Sequence, residues 1–288
     1  MSLQGLLFRL GAGSGDRKRN NATTHPAGVI CFSDIAYGSH GKDQLLNVYL
    51  PEHTTEALPT IVSIHGGGYV YGDKEVYHHY CADLARRGFA VVNFNYRLAP
   101  KWKFPTPLLD TNKVMQWLVL QAGNYYMDPQ RLFLVGDSAG AQLASHDAAI
   151  ASNPEYAKGF FEVPAIRIRA VGLNCGMYDV KTMLQGKIGG IEKDYFGAPD
   201  PTDPRYDVLG AVTASYPPAH ITTAHYDFLR ANAAPMYDFL REKGVDCAFK
   251  CYGSEYKKHI AHVFHVDIRN EEATLCNAEQ TDFFRRYL

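Results

Sequence analysis

The fold is decided by the stretch Leu132-Phe133-Leu134-Val135-Gly136-Asp137-Ser138-Ala139-Gly140. Apolar, strand-favouring residues end abruptly in Gly-x-Ser-x-Gly, and small residues that suit a helix follow. This order predicts a strand, a sharp turn and a helix, the context in which the motif presents a nucleophilic serine. The turn strains the backbone at Ser138, and Gly136 and Gly140 leave the room that such a turn needs. The N-terminus of the following helix favours negative charge beside the serine.

The composition is that of an ordinary soluble globular protein, and we expect one domain over residues 1–288. The chain has 288 residues, of which 46% are hydrophobic and 20% are charged. A net charge of -1 gives no reason to expect nucleic acid or an anionic membrane as a partner. No apolar stretch is long enough to cross a bilayer, so we also expect no membrane partner.

Cysteine usage and the N-terminus both indicate a cytoplasmic protein. Six cysteines are scattered along the chain without a Cys-x-x-Cys pair, which is typical neither of a disulfide framework nor of a zinc site. The short apolar patch from Leu3 to Leu10 is interrupted by Arg9 and lacks a following cleavage site, so we predict no signal peptide.

Two segments have little strand or helix pattern, and both are predicted to be cap elements. In residues 1–28, the run Gly11–Gly15 resembles a loop, and the charged run Asp16–Arg19 is typical of a solvated surface. Residues 178–218 are rich in Gly, Pro, Asp and Tyr, with one weak helical pattern near Val180–Phe196. So long an excursion between strands is usually functional, often as a lid.

Elsewhere, apolar strand patterns alternate with helical patterns. Besides the serine strand, strands are predicted at Val29–Tyr37, Leu45–Leu50, Pro59–Ile64, Phe89–Phe94, Ala170–Cys175, Ala219–Thr223 and Cys247–Tyr252. Besides the helix that Ser138 opens, helices are predicted at Tyr77–Arg87, Leu108–Ala122, Asn232–Lys243 and Glu272–Leu288. The alternation predicts an α/β fold with a mostly parallel sheet flanked by helices. In such sheets the site lies beyond the carboxyl ends of the strands.

A serine hydroxyl needs a general base, and the base needs a group that fixes its tautomer. After Ser138, the carboxylates at strand ends are Asp179 and Asp227. We favour Asp227, because it follows the penultimate strand and precedes a helix, and Asp179 is the alternative.

Three histidines follow the last strand, spaced by three: His259, His262 and His265. We favour His262 as the base and keep the other two as alternatives. A metal site is disfavoured, because positions i, i+3 and i+6 drift around a helix and zinc chemistry requires no Gly-x-Ser-x-Gly serine.

The run His65-Gly66-Gly67-Gly68 follows the third predicted strand. Acyl transfer builds an oxyanion, which needs backbone N–H donors about 3 Å away, and glycines let the backbone approach that closely. The predicted oxyanion donors are the N–H groups of Gly67, Gly68 and Ala139. A plain glycine-rich turn is the alternative, and a phosphate cradle would lack its Gly-Lys-Ser/Thr ending.

Several motifs together resemble the hormone-sensitive-lipase-like branch of the α/β-hydrolases, the fold-3 carboxylesterases. They are His65–Tyr69, Tyr96-Arg-Leu-Ala-Pro100, Asp128–Arg131, Gly136–Gly140, Asp227-Phe-Leu-Arg230 and His262-Val-Phe264. The resemblance covers residues 40–288 and implies an α/β-hydrolase fold with a small cap. It also implies a triad of Ser138, Asp227 and His262, the same oxyanion donors, a structural His65 and a glycine loop braced by Tyr96-Arg97. Family members are often dimers, so a homodimer is compatible with it.

The chain departs from the family pattern at four places in its motifs, and its N-terminal cap is shorter and more polar than is common. Ala141 stands where a third glycine is usual, Val263 replaces the glycine of His-Gly-Phe, Lys101 replaces a glutamate, and His225-Tyr226 stand where an acidic residue is common. None of these changes removes a catalytic group.

We therefore predict a serine carboxylesterase that hydrolyses short-acyl, acetyl to butyryl, esters of small molecules without a cofactor. Tyr69 and Asp137 are candidate substrate-binding residues, and Tyr71, Tyr178 and Tyr195 are further candidates for the pocket wall. The absence of a lipid-seeking amphipathic segment argues against a lipase acting at interfaces. The alternatives are an amidase or peptidase with the same triad, and a non-catalytic protein that binds a small molecule.

Overall fold

The computed structural model describes residues 1–288 as an eight-stranded sheet flanked by ten helices. The strands are β1 Val29–Ala36, β2 Leu45–Pro51, β3 Leu58–Ile64, β4 Ala90–Phe94, β5 Met127–Asp137, β6 Ile168–Asn174, β7 Ala219–Ala224 and β8 Cys247–Tyr252. The helices are α1 Leu3–Asn21, α2 His78–Arg86, α3 Thr106–Gln121, α4 Ala139–Ser152, α5 Pro154–Ala157, α6 Val180–Gln185, α7 Gly190–Phe196, α8 Val208–Ala211, α9 Ala233–Glu242 and α10 Glu271–Arg285.

The strand order is β1-β2-β4-β3-β5-β6-β7-β8. The two pairs that involve β2 are antiparallel, and every pair from β4 to β8 is parallel. The predicted α/β fold with a mostly parallel sheet is confirmed. The central position of β5 carries Ser138 to the middle of the carboxyl edge, between the chain segments that follow β3 and β7.

Alternate side chains of the buried strands pack on opposite faces of the sheet, as the period of two requires. On β3, Val62 and Ile64 join the larger apolar core, whereas Ile61 joins the smaller one. Helices α3, α4 and α9 contribute to the larger core, and α2 and α10 contribute to the smaller one. Helices therefore cover both faces of the sheet, so we expect a site at the edge where the strands end.

The N-terminal segment corrects the sequence prediction, because the loop-like run Gly11–Gly15 lies inside the helix α1. Ser2 caps this helix by accepting a hydrogen bond from the N–H of Gly5 at 3.0 Å. The Ser2 N–H and hydroxyl in turn bond the carboxylate of Asp194 at 2.8 to 2.9 Å. These distant partners stabilise a segment whose glycines weaken its own helix propensity.

The apolar side of α1 is also unexpected. Leu3, Leu6, Leu7 and Leu10 are exposed by 43 to 72% at helical spacing. These four side chains form an exposed apolar row on the first two turns of α1, which the sequence analysis did not identify. No helix of the protein has both the length and the apolar character that crossing a membrane requires.

The excursion over residues 178–218 contains three short helices, α6 to α8, where the sequence indicated one weak pattern. Strand β5 also begins at Met127, within a stretch expected to be a loop, because its first residues pair with Leu58 and Pro59 of β3. The remaining predicted strands and helices agree with the structure to within about three residues at each end.

Candidate active site

Ser138 lies at the turn between β5 and α4 in a strained conformation, with φ 52° and ψ -119°. A Cβ atom on Gly136 would overlap the carbonyl of Gly140, and one on Gly140 would overlap the carbonyl of Ile64. Both positions therefore require glycine. The N–H of Ser138 donates to the carbonyl of Asn174 on β6 at 2.9 Å, which ties the turn to the sheet.

His262 joins the serine to the carboxylate of Asp227. Its Nε2 lies 2.9 Å from Oγ of Ser138, and its Nδ1 lies 2.6 Å from Oδ1 of Asp227. Because an ionised carboxylate only accepts hydrogen bonds, Nδ1 carries the hydrogen and the lone pair of Nε2 faces the serine hydroxyl. The structure thus brings together three of the predicted residues, which are up to 124 positions apart in sequence.

The environment of Asp227 keeps this carboxyl ionised. Burial by itself would raise the pKa of Asp227, but the hydrogen bond from His262 and the other donors to this carboxyl together hold the pKa below its usual value. The N–H of Leu229 and the hydroxyl of Thr223 add donors at 2.9 and 2.7 Å. A buried, fully bonded carboxylate holds the imidazole in one orientation.

The alternative residues lie elsewhere. The carboxylate of Asp179 caps α6, where it accepts from the N–H of Thr182 at 3.0 Å. His265 is buried without a hydrogen-bond partner on either ring nitrogen, and burial lowers its pKa to about 3. His259 is exposed. None of the three is hydrogen-bonded to Ser138.

The glycine loop after β3 presents unpaired backbone donors. Neither Gly67 nor Gly68 donates its N–H to a protein acceptor. Gly67 adopts φ 109°, and a Cβ atom there would overlap the carbonyl of Tyr71, so only glycine fits the loop. Ala139 is the first residue of α4, and a helix leaves its first N–H groups without intrahelical partners. The predicted oxyanion donors are therefore free to bind an anion.

The base of this loop is held by buried contacts. The ring of His65 stacks on that of Tyr96 with centroids 4.1 Å apart, and the Tyr96 hydroxyl donates to the carbonyl of His65 at 2.9 Å. Burial lowers the pKa of His65 to about 4, so the ring is neutral. Next to it, the guanidinium of Arg97 pairs with the buried carboxylate of Asp110 at 2.7 Å. These contacts fit the structural roles that the family resemblance implies for His65 and for Tyr96-Arg97.

Asp137 lies beneath the loop. The hydroxyl of Tyr77 donates to its Oδ2 at 2.8 Å and accepts from the N–H of Gly66 at 2.9 Å. Burial raises the pKa of Asp137 to about 7, although the hydrogen bond from Tyr77 and the charge of His262 lower it. The carboxyl thus links the strand before Ser138 to the glycine loop.

A cavity of about 240 Å³ opens over Ser138 and His262. One wall is formed by α1, with Phe8, Ala12, Gly15, Asp16 and Arg19, and the glycine loop and residues 71–77 form another. The sequence analysis expected a cap element in residues 1–28, but it interpreted Asp16–Arg19 as solvated surface and assigned no cavity residue there. The charged run was the available signal, and the pairing of Asp16 with Arg19 at 2.6 Å is local to α1. The hydrogen bond that Asp16 accepts from the hydroxyl of Tyr71 at 2.8 Å depends on tertiary structure.

The residues predicted to contact substrate divide between cavity and core. Asp137 and Tyr71 line the cavity, whereas Tyr69 does not. The ring of Tyr69 stacks on that of Tyr195 with centroids 3.9 Å apart, and its hydroxyl donates to Gln142 at 3.2 Å. Tyr178 and Tyr195 are buried in the same apolar core.

Cys175, Asp227 and His262 place three potential metal ligands within 4.8 Å of one another. Asp227 and His262 already satisfy each other by hydrogen bonding. Burial raises the pKa of the Cys175 thiol well above its usual value, so this group stays protonated, whereas a metal needs the thiolate. The set therefore suits proton transfer better than metal binding.

Comparison with known proteins agrees with the fold. A family model described as the alpha/beta hydrolase fold matches residues 61–265. This chain belongs to that family. Among related proteins, the ethyl acetate hydrolase of Pseudomonas putida is 30% identical over 230 residues, which are 75% of this chain and 71% of the relative.

Other relatives have similar names. The versiconal hemiacetal acetate esterase of Dothistroma septosporum is 30% identical over 65% of this chain and 62% of its own length. The acetyl esterase of Salmonella paratyphi B is 24% identical over 77% of this chain and 70% of its own length. These relatives confirm the predicted resemblance and the predicted class, the carboxylic ester hydrolases.

Solved structures confirm the fold. The inhibited esterase B from Lactobacillus rhamnosis superposes with a TM-score of 0.88 at 23% identity, covering 99% of this chain and 95% of that one. A bacterial heroin esterase superposes with a TM-score of 0.75 at 21% identity, and the match covers 97% of this chain and 90% of that one.

Proposed function

We propose that this protein is a serine carboxylesterase that hydrolyses small-molecule esters of short acyl groups through an acyl-enzyme. The observation that carries the proposal is the continuous hydrogen-bonded series Asp227–His262–Ser138, whose serine lies on a strained turn at the floor of a cavity. This arrangement supplies a nucleophile, a base and an orienting carboxylate in the order that acyl transfer needs.

In the first half-reaction, Oγ of Ser138 attacks the ester carbonyl carbon, and its proton passes to Nε2 of His262. Asp227 stabilises the imidazolium. The oxyanion donors hold the negative oxygen of the tetrahedral intermediate. The bond to the alcohol then breaks, and the alcohol leaves with the proton from His262 while the acyl group stays on the serine.

In the second half-reaction, a water molecule gives its proton to Nε2 of His262 and attacks the acyl carbon. The second intermediate collapses to the carboxylic acid, and Ser138 regains its proton. Every atom and proton is supplied by the ester, the water and the three side chains, so the reaction needs no cofactor.

The size of the cavity supports a short acyl group. Pockets for drug-sized ligands usually enclose about 300 to 1,000 Å³, whereas the cavity here has about 240 Å³. Two of the relatives named above are an ethyl acetate hydrolase and an acetyl esterase. An acetyl to butyryl ester is therefore the substrate class that we propose.

We further propose that residues 1–28 and 178–218 form a small cap within one domain over residues 1–288. Helix α1 supplies a wall of the cavity, and its capping residue Ser2 bonds Asp194 of α7. Ile191 of α7 and Phe8 of α1 both lie next to Gly68. The two segments thus meet over the glycine loop.

The test is a panel of p-nitrophenyl esters from acetate to decanoate, assayed with wild type, Ser138→Ala and His262→Ala. We expect hydrolysis that is fastest for acetate or butyrate, and a loss of kcat on the order of 10⁴-fold or more in both variants. The matched control is His259→Ala, which removes an exposed imidazole three residues from His262 and should keep wild-type activity.

Substantial hydrolysis by Ser138→Ala would contradict the mechanism. No turnover of any ester by folded wild-type protein would contradict ester hydrolysis, and an amide panel would then separate an amidase from a non-catalytic binding protein. Optimal turnover of decanoate would contradict the short-acyl preference alone.

A further inference from the structure

Three histidines from two separate segments meet beside the C-terminal end of α1. His25 lies in the link between α1 and β1, and His78 and His79 begin α2. The ring centroids of His25 and His78 are 4.6 Å apart, those of His78 and His79 are 5.3 Å apart, and those of His25 and His79 are 5.9 Å apart. One nitrogen of each ring lies within 4.8 Å of the others.

We propose that His25, His78 and His79 form a binding site for a divalent transition-metal ion, with Zn²⁺ as the representative ion. Three imidazole nitrogens are a ligand set that Zn²⁺, Ni²⁺ and Cu²⁺ share, whereas Mg²⁺ and Ca²⁺ prefer oxygen ligands. Zn²⁺ with three protein nitrogens keeps a fourth position for water. The exposure of His25 gives the ion and that water access from solvent.

Two of the rings have features that suit metal binding. The hydroxyl of Tyr49 lies 3.1 Å from Nδ1 of His78, which orients the ring and leaves Nε2 for a metal. Nδ1 of His79 is buried and has no hydrogen-bond partner. An unsatisfied buried nitrogen is unfavourable, and coordination is one way to satisfy it.

The position of the site indicates what the ion would do. The guanidinium of Arg19 donates to the carbonyl of Val76 at 2.8 Å, and the amide of Asn20 donates to that of Glu75 at 3.2 Å, so α1 already docks on the segment before α2. An ion held by the three histidines adds a link between the residues after α1 and the start of α2. It therefore holds α1 over the cavity. This site is independent of the proposed ester hydrolysis.

The experiment uses tag-free, chelator-treated full-length protein and Zn²⁺ as the probe, measured by isothermal titration calorimetry and thermal unfolding. Wild type should bind one Zn²⁺ at this site, and saturation at 100 times Kd should raise Tm by about 5 °C. His25→Ala removes an exposed ligand, and it should weaken binding by about tenfold or more. At the same Zn²⁺ concentration its Tm shift should fall to about half of the wild-type shift or less.

The control is His53→Asn, which removes an exposed imidazole from the turn after β2. Its φ of 62° is one that asparagine tolerates, and we expect wild-type Zn²⁺ binding. His78→Gln tests the site from the second segment, and circular dichroism without metal shows that each variant is folded. No Zn²⁺ binding by wild type would overturn the proposal. Wild-type affinity together with a wild-type Tm shift in both His25→Ala and His78→Gln would also overturn it.

Discussion

Replacing Asp137 with asparagine tests the proposed state of the carboxyl beneath the glycine loop. Burial raises the pKa of Asp137 from 3.8 in the unfolded chain to about 7 in the folded protein. Well below pH 3.8 the carboxyl is protonated in both states and costs nothing. As the pH rises from 4 to 7, only the unfolded chain releases the proton, so the wild type loses stability over this window. This pKa difference of about three units corresponds to a loss of about 4 kcal/mol in the free energy of unfolding, of which about 3 kcal/mol develops between pH 5 and pH 8.

An asparagine at position 137 does not titrate, and its carbonyl can still accept from Tyr77. Its amide adds a cost that is the same at every pH, so the informative quantity is the change with pH. Urea unfolding at pH 5 and pH 8 should show Asp137→Asn gaining about 3 kcal/mol relative to wild type over that interval. Asp238→Asn, which alters an exposed carboxyl on α9, should show no comparable change. A difference between Asp137→Asn and wild type that is constant or falls with pH would refute the reasoning.

Three further substitutions test the packing around the site, each by urea unfolding. Gly140→Ala places a methyl group on the carbonyl of Ile64 and should cost about 3 kcal/mol or more, and a cost below about 1 kcal/mol would contradict the close approach. Asp110→Ala leaves the buried guanidinium of Arg97 without its partner and should cost about 3 to 5 kcal/mol, whereas a neutral effect would show that water replaces the carboxylate. Val263 is a β-branched residue at φ 54°, so Val263→Gly should be less destabilising than Val263→Ala, and the reverse order would show that the valine is unstrained.

The sheet and the reacting side chains could be predicted because their signals are local. Each buried strand is a continuous apolar run, and a parallel sheet brings the residues after its strands to one edge. Ser138 has the glycine motif around it, and Asp227 follows the end of β7. No local signal distinguishes His259, His262 and His265, because all three follow β8. Only the conformation of the folded loop determines which ring faces the serine.

The chemistry of the cavity wall could not be predicted, because it depends on partners far away in sequence. Tyr69 stood beside the glycine loop in the sequence, yet its ring packs on Tyr195, over 100 residues later. Arg19 seemed to be solvated, yet its guanidinium donates to the carbonyl of Val76, which lies 57 residues later. Composition and periodicity report which residues avoid water, and they do not report which polar groups find each other.

Helix α1 shows why hydrophobic periodicity misleads for this segment. Its leucines recur at helical spacing, which ordinarily marks the face that packs on a core. Here that face is exposed. Apart from Phe8, which packs against the larger core, the inner face carries small and polar residues: Gly5, Ala12, Gly13, Asp16 and Arg19. Small residues let the helix approach the ring of Tyr71 closely, and polar contacts at its two ends supply what apolar burial does not. A helix held mainly at its ends opens more easily than one held by a buried stripe. The position of the cavity wall that α1 provides therefore depends on a few polar contacts, and the histidine cluster lies where a bound metal ion would add one more link.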